Sequence, residues 1–373
     1  MLSARGDDMA DRIVVAGGGY AGLAALSRLL NQAGGRLTLI DSEPGHTLVP
    51  ELPEALAPGK SVARHVLSYD RLLKDARVTR IADQIVGIRV AQRTVLLQSG
   101  EQVAFDWLIL AVGTVPRFPP VPGLKALALP LKTAQDTQRI KRDLDKGKNQ
   151  QVVVVGGGLT GVEVAGVLAP RHHVSLVEAS TRLLPGLGPG LASYAHRRLK
   201  GAGVTFYLHH KLSEVSAGRI VAGGKHLSYD ILIWAGGIGP PTWLSETDLP
   251  LDRQGYPVAD PTGQVLPHVY VAGDLWQIED RGQRLPQTAQ LAEQAGAYVG
   301  SVIASRLKQD GDVPEFHPHI RGMLVALNPG QGVGWVYHGG LSVQGFSARW
   351  LKNMVFRQYR RGLTREFDRV WPD

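Results

Sequence analysis

Three stretches of this 373-residue chain hold chemically useful residues at short, regular spacings. The first is GGGYAG, Gly17 to Gly22, which follows the apolar run RIVV and precedes the helical pattern LAALSRLL. The second is GGGLTG, with Gly156, Gly158 and Gly161, between QVVVV and VEVAGVLA. The third is AQLAEQ, Ala289–Gln294, within the helical stretch PQTAQLAEQAGAYVG. There Gln290 and Gln294 stand four residues apart and so share one helix face. Amides do not act as acids or bases near neutral pH, but they can hydrogen-bond a carbonyl.

Each glycine loop has the spacing GxGxxG and is followed by a second strand pattern ending in an acid. RLTLI leads to Asp41, and VSLVE ends at Glu178. In this arrangement Gly17 and Gly156 permit the tight turn, and Gly19 and Gly158 let the main chain approach a pyrophosphate. Gly22 and Gly161 let the helix pack closely on its strand. The helix N-terminus offers N–H groups and a positive dipole end to phosphate, and the acid can bond an adenosine ribose. One such loop is an ordinary turn; two, each with strand, helix and acid, predict two dinucleotide sites. Glu178 bears on which nucleotide the second takes. Against a 2′-phosphate ~4 Å away, its charge costs about 4 kcal/mol at an effective dielectric of about 20. NADH is therefore expected, although Arg182, four residues on, can reverse that preference.

Composition narrows the chemistry. The chain has no cysteine, which excludes a structural disulfide, a thiolate zinc site, an iron–sulfur cluster and a redox-active dithiol. No metal site is expected, and histidines such as His46 show no ligand spacing. The polar, charged start and the lack of about 20 consecutive apolar residues predict a cytoplasmic protein. The net charge is +8, yet residues 347–373 carry seven Arg/Lys against three Asp/Glu, so the basicity is local. No nucleic-acid-binding module accompanies it.

A further stretch, HVYVAGDLW (268–276), reads as a short strand running into Gly273-Asp274. DWLILAVGT (106–114) is a similar strand running into Gly113. With these the chain resembles the two-dinucleotide-domain flavoproteins, the pyridine nucleotide–disulfide oxidoreductases in the broad sense. The resemblance implies an α/β fold of two Rossmann-like domains, the second inserted in the first, with a short C-terminal appendage. FAD-binding residues would run from 10 to 118 and return at 252–318, around an NAD(H) domain at 130–240, leaving 319–373. It also implies FAD at Gly17, Gly19, Gly22, Asp41, Gly113, Gly273 and Asp274, and NADH at Gly156, Gly158, Gly161 and Glu178.

Within that family AQLAEQ resembles the AQxAxQ motif of the type II NADH:quinone dehydrogenases, and Glu163 matches a glutamate that follows their second glycine loop. The resemblance implies hydride transfer from NADH to FAD, then two electrons to a quinone near Gln290 and Gln294. It also implies that neither a cysteine relay nor proton pumping is involved and that Glu163 stands beside the nicotinamide. Glu163 also sits in the first turn of its helix, where any acid gains about 0.3–1 kcal/mol from the dipole. Two other readings stay open: a soluble NAD(P)H-dependent reductase of a small electron-carrier protein, and a non-enzymatic flavin or NADH redox sensor. A homodimer is also left open.

The segment HTLVPELPEALAPG (46–59) departs from that branch's more aromatic version, which lines the flavin edge. Residues 318–340 read as strands and turns of unfamiliar sequence. The tail predicts a helix with an apolar stripe of Trp350, Leu351, Met354 and Val355. Arg349, Lys352, Arg357, Arg360, Arg361 and Arg365 flank it, and Phe356 falls on the basic side. That pattern predicts peripheral contact with the cytoplasmic face of a membrane. At about 1 kcal/mol per basic residue, the tail's net charge supplies at best ~4 kcal/mol.

Overall fold

The computed structural model describes residues 10–32, 35–74, 77–309, 314–337 and 340–369. The last four residues of the basic tail thus lie outside the described residues. The runs RIVV and QVVVV are buried on both faces, as strands central to a helix-covered parallel sheet must be. Each nucleates a separate sheet. The first has six strands in the order Gln264–Leu266, Val269–Val271, Trp107–Leu110, Arg12–Ala16, Arg36–Ile40, Val78–Ile81. All pair in parallel except the first two, which form an antiparallel edge. The second has five parallel strands in the order Leu129–Pro130, Ile231–Trp234, Gln151–Val155, His173–Glu178, Thr205–Leu208. The first sheet takes its strands from both sides of the second in sequence. The architecture is α/β with two parallel dinucleotide-binding sheets.

Strand order decides where the chemistry gathers. In the first sheet Gly17, Asp41, Gly113-Thr114 and Gly273-Asp274 all follow the carboxyl ends of four adjacent parallel strands, the edge where such sheets bind ligands. The glutamine-bearing helix, Ala289–Lys308, begins after the N-cap Thr288, whose side chain accepts from the Leu291 N–H at 3.3 Å. It lies directly on the first glycine-loop helix, Tyr20–Gln32. A Cβ on Gly296 would stand 2.0 Å from the Ala21 carbonyl, and one on Gly300 2.6 Å from that of Ala25. Glycines four apart thus permit a backbone approach that larger residues would block.

The C-terminal region forms a three-stranded antiparallel sheet, Gly322–Asn328, Gln331–Val336 and Leu341–Gln344, and then the helix Gly345–Arg369. The sheet packs on the second glycine-loop helix, Leu159–Leu168, where a Cβ on Gly166 would meet the Leu327 carbonyl at 1.8 Å. Leu363 and Phe367 of the final helix are buried in the core of the first domain. Among the described residues no helix is long and apolar enough to cross a membrane.

Candidate functional site

The two glycine loops are built alike. Gly17 and Gly156 take φ of +103° and +113°, and a Cβ on either would stand 2.4 Å from a carbonyl of a neighbouring strand's end, Ala111 or Ala235. Gly22 and Gly161 pack against their own turns, where a Cβ would lie 1.8 Å from the Gly17 or Gly156 carbonyl. Gly19 and Gly158 differ: a Cβ on either would meet nothing within 4 Å. That open ground at a helix N-terminus is what a pyrophosphate requires. The acids match as well. Asp41 accepts from the Gly18 N–H at 2.6 Å, the Glu43 N–H at 2.8 Å and the Tyr69 hydroxyl at 3.1 Å. Glu178 accepts from the Gly157 N–H at 2.5 Å and the Ser180 N–H at 2.6 Å. Each carboxylate is held at the mouth of its loop by main-chain N–H groups. Arg182 does not turn toward Glu178; its guanidinium donates to the Leu187 and Pro185 carbonyls at 2.8 and 3.0 Å.

Beside the first loop the Tyr20 hydroxyl and Thr47 Oγ1 are buried without a hydrogen-bond partner in the protein. Buried polar atoms are normally paired, so these two orphans fit a polar cofactor in the first loop. Opposite them, Asp274 accepts from the Thr114 hydroxyl at 3.3 Å, and Lys132 Nζ stands 3.5 Å from the same carboxylate oxygen. Gly113 and Gly273 both have positive φ, and a Cβ on Gly113 would meet nothing within 4 Å. The residues expected to hold FAD therefore lie on one sheet edge, and those expected to hold NADH on the other.

The glutamines share a face, as their spacing requires, and there both half-buried amides engage a later segment of main chain. Gln294 donates to the His319 carbonyl and accepts from the His319 N–H, both at 2.9 Å. Gln290 Oε1 accepts from the Arg321 N–H at 3.3 Å. The amides thus bond the main chain of 319–321 as a neighbouring strand would.

Glu163 is also committed. It is buried, accepts from the Ala326 N–H at 2.9 Å, and forms an ion pair with Lys352 of the final helix. Burial pushes its carboxyl upward, against the pull of Lys352 and the Ala326 N–H. Its partner in the fold lies 189 positions away, beyond the reach of any local sequence pattern.

The final helix departs from the expected picture. Three of its cations, Arg349, Lys352 and Arg360, turn inward, while Trp350, Met354 and Val355 of the apolar stripe turn outward. Arg349 pairs with Glu54, Lys352 with Glu163, and Arg360 with Glu51, while Lys352 also reaches the Pro50 carbonyl at 3.4 Å. Tyr359 bonds His46 at 3.0 Å. Arg349 and Lys352 are only 8% and 3% exposed, so they are not available to a lipid surface. The segment 46–59, whose counterpart in that branch lines the flavin edge, is thus clamped together with 60–65 by the C-terminal helix. Burial opposes ionisation of Glu51 and Glu54, yet hydrogen bonds from His65 and Arg360, and from Arg349, outweigh it and hold both carboxyls low. Burial drives His46 down to about 4, so it is neutral at pH 7. Outward lie Phe346, Trp350, Met354 and Val355 with Arg357, Arg361 and Arg365.

The chain is similar to several known proteins. The family described as pyridine nucleotide-disulphide oxidoreductase matches residues 11–296. The chain is 28% identical to the NADH dehydrogenase-like protein YutJ of Bacillus subtilis, across 87% of this chain and 92% of that one. It is 26% identical to a type II NADH:quinone oxidoreductase of Staphylococcus epidermidis, across 92% and 94%. The solved structure of NDH2 from Plasmodium falciparum in complex with NADH superposes with a TM-score of 0.82 at 18% identity, across 96% and 97%.

Proposed function

The chain belongs to the pyridine nucleotide-disulphide oxidoreductase family, and on that premise we propose that it is an FAD-dependent NADH:quinone oxidoreductase. FAD and NADH are the cofactors of this oxidoreductase class. When bound, the flavin supplies the two-electron chemistry, accepting a hydride from NADH and releasing electrons to the acceptor. The observation that carries the reading is the pair of open glycine cradles in a chain without cysteine. Two nucleotides are accommodated, and no thiol can relay electrons onward, so the acceptor must take them directly.

In this reading the first loop, Asp41 and Asp274 hold FAD, and the second loop and Glu178 hold NADH. Arg182, tied to its own loop, leaves Glu178 free to disfavour a 2′-phosphate. Gln290 and Gln294 act by fixing residues 319–321 as a wall of the acceptor site. Glu163 acts through Lys352, tying the second glycine-loop helix to the helix that clamps 46–65. The outward stripe of Trp350 and Met354, with three arginines beside it, provides peripheral contact with an anionic membrane. At about 1 kcal/mol per cation, those arginines supply roughly 3 kcal/mol, and apolar insertion supplies the rest.

The test is an anaerobic titration of purified protein followed by its visible spectrum. NADH is expected to bleach the flavin band, and a short-chain quinone to restore it rapidly. Bleaching restored only by a small iron–sulfur protein would replace the quinone with a protein acceptor. No bleaching would overturn the enzyme reading.

A further inference from the structure

Lys132 belongs to none of the motifs above, yet it reaches from the second nucleotide-binding unit into the first. It follows the strand Leu129–Pro130 and precedes the helix Ala134–Leu144. Its loop is fixed by a capping box. Thr133 accepts from the Asp136 N–H at 3.0 Å, and the Asp136 carboxylate accepts in return from the Thr133 and Lys132 N–H groups at 3.0 and 3.2 Å. From this fixed base Lys132 Nζ donates to Thr114 Oγ1 at 3.0 Å and stands 3.5 Å from the Asp274 carboxylate. Thr114 in turn donates to the same carboxylate oxygen, closing a triangle of ammonium, hydroxyl and carboxylate. The triangle lies at the carboxyl ends of two adjacent strands, on the edge assigned to FAD.

A carboxylate at that edge poses an electrostatic problem. Asp274 is suited to sugar-like hydroxyls, but the cofactor it would hold also carries a pyrophosphate dianion. Both side chains are about one-fifth exposed, at 21% and 20%, so solvent screens the repulsion only in part. We propose that Lys132 is a positioning residue for the flavin. It offsets the charge of Asp274 beside the phosphates and, through Thr114, fixes the carboxylate's orientation. This rests on the assignment of the first glycine loop to FAD. It also makes the flavin site depend on a residue of the NADH-binding unit, so the two sites are not independent modules.

The experiment is a double-mutant cycle read by FAD affinity, from the fluorescence of flavin released on dilution of the holoprotein. Lys132→Met is expected to raise the dissociation constant roughly tenfold, the order given by one charge pair a few ångströms apart in partly screened surroundings. The deficit should shrink as salt is added, and Lys132→Arg should largely restore binding. In an Asp274→Asn background the same Lys132→Met change should cost clearly less, because the carboxylate it orients is gone and only its direct attraction to the phosphates remains to be lost. Equal losses in both backgrounds, insensitive to salt, would overturn the proposal and leave Lys132 as ordinary scaffold. Should Lys132→Met fail to fold, Lys132→Gln serves in the same cycle. Wild-type protein that neither carries nor binds FAD would overturn the flavoenzyme reading as well, which separates the two failures.

Discussion

Replacing Lys352 by methionine removes the partner of the buried Glu163 carboxylate while preserving most of the side chain's volume. Glu163 then keeps only the Ala326 N–H. A carboxylate without a counter-charge in that position takes up a proton instead of remaining ionised. Protonating it at pH 7 from an unfolded-state value near 4.5 costs about 1.4 kcal/mol per pH unit, or roughly 3 kcal/mol in all. That agrees with the ~3–5 kcal/mol typical of a broken buried pair. The sign is specific. In the variant the folded carboxyl lies well above its unfolded value, so folded protein binds the extra proton and stability falls as pH rises from 4.5 to 7. Guanidinium unfolding at a fixed excess of FAD, followed by tryptophan fluorescence at pH 5, 6 and 7, reads this directly. Lys352→Met should lose up to about 1.4 kcal/mol per pH unit relative to wild type over the range in which wild-type Glu163 is ionised, and adding Glu163→Gln should abolish that slope. A variant within about 1 kcal/mol of wild type at pH 7, or one with the wild-type slope, would refute the buried-pair account.

Gly158→Ala should leave stability nearly unchanged, because the added Cβ meets no protein atom within 4 Å. It should raise KM for NADH by roughly 10–100-fold, the equivalent of about 1–3 kcal/mol of overpacking against the pyrophosphate, as measured by steady-state kinetics. His46, buried and held to about 4, should contribute stability that is complete above pH 6.5 and lost as pH falls toward 4. The loss is about 3 kcal/mol, and His46→Gln should remove that part of the acid dependence in the same unfolding measurements. Trp350→Asp with Met354→Asp should abolish sedimentation with anionic vesicles while changing stability by less than about 0.5 kcal/mol. Deleting 347–373 should instead expose Glu51, Glu54 and Glu163 and cost the protein its flavin, because the helix that clamps 46–65 would be gone.

The amino-acid sequence by itself determined the two nucleotide cradles, the α/β class and the acids at the strand ends. Each cradle is one local unit of strand, turn, helix and strand, in which steric need for glycine and burial of a valine run act over about 30 residues. The lack of cysteine, equally legible, removed thiol chemistry at once. Only the tertiary structure decided what the isolated polar residues do. Gln290 and Gln294 stand on one face at any resolution of reading, but that their amides bond 319–321 depends on where a distant segment crosses. Arg349, Lys352 and Arg360 of the final helix read as part of a lipid-facing surface because charge pattern alone cannot distinguish an anionic membrane from carboxylates of the same chain. Those carboxylates, Glu163, Glu54 and Glu51, lie 189, 295 and 309 positions away from their partners. Helix periodicity sorts residues onto faces, but which face turns inward follows from the surface it meets, and that surface exists only once the chain has folded.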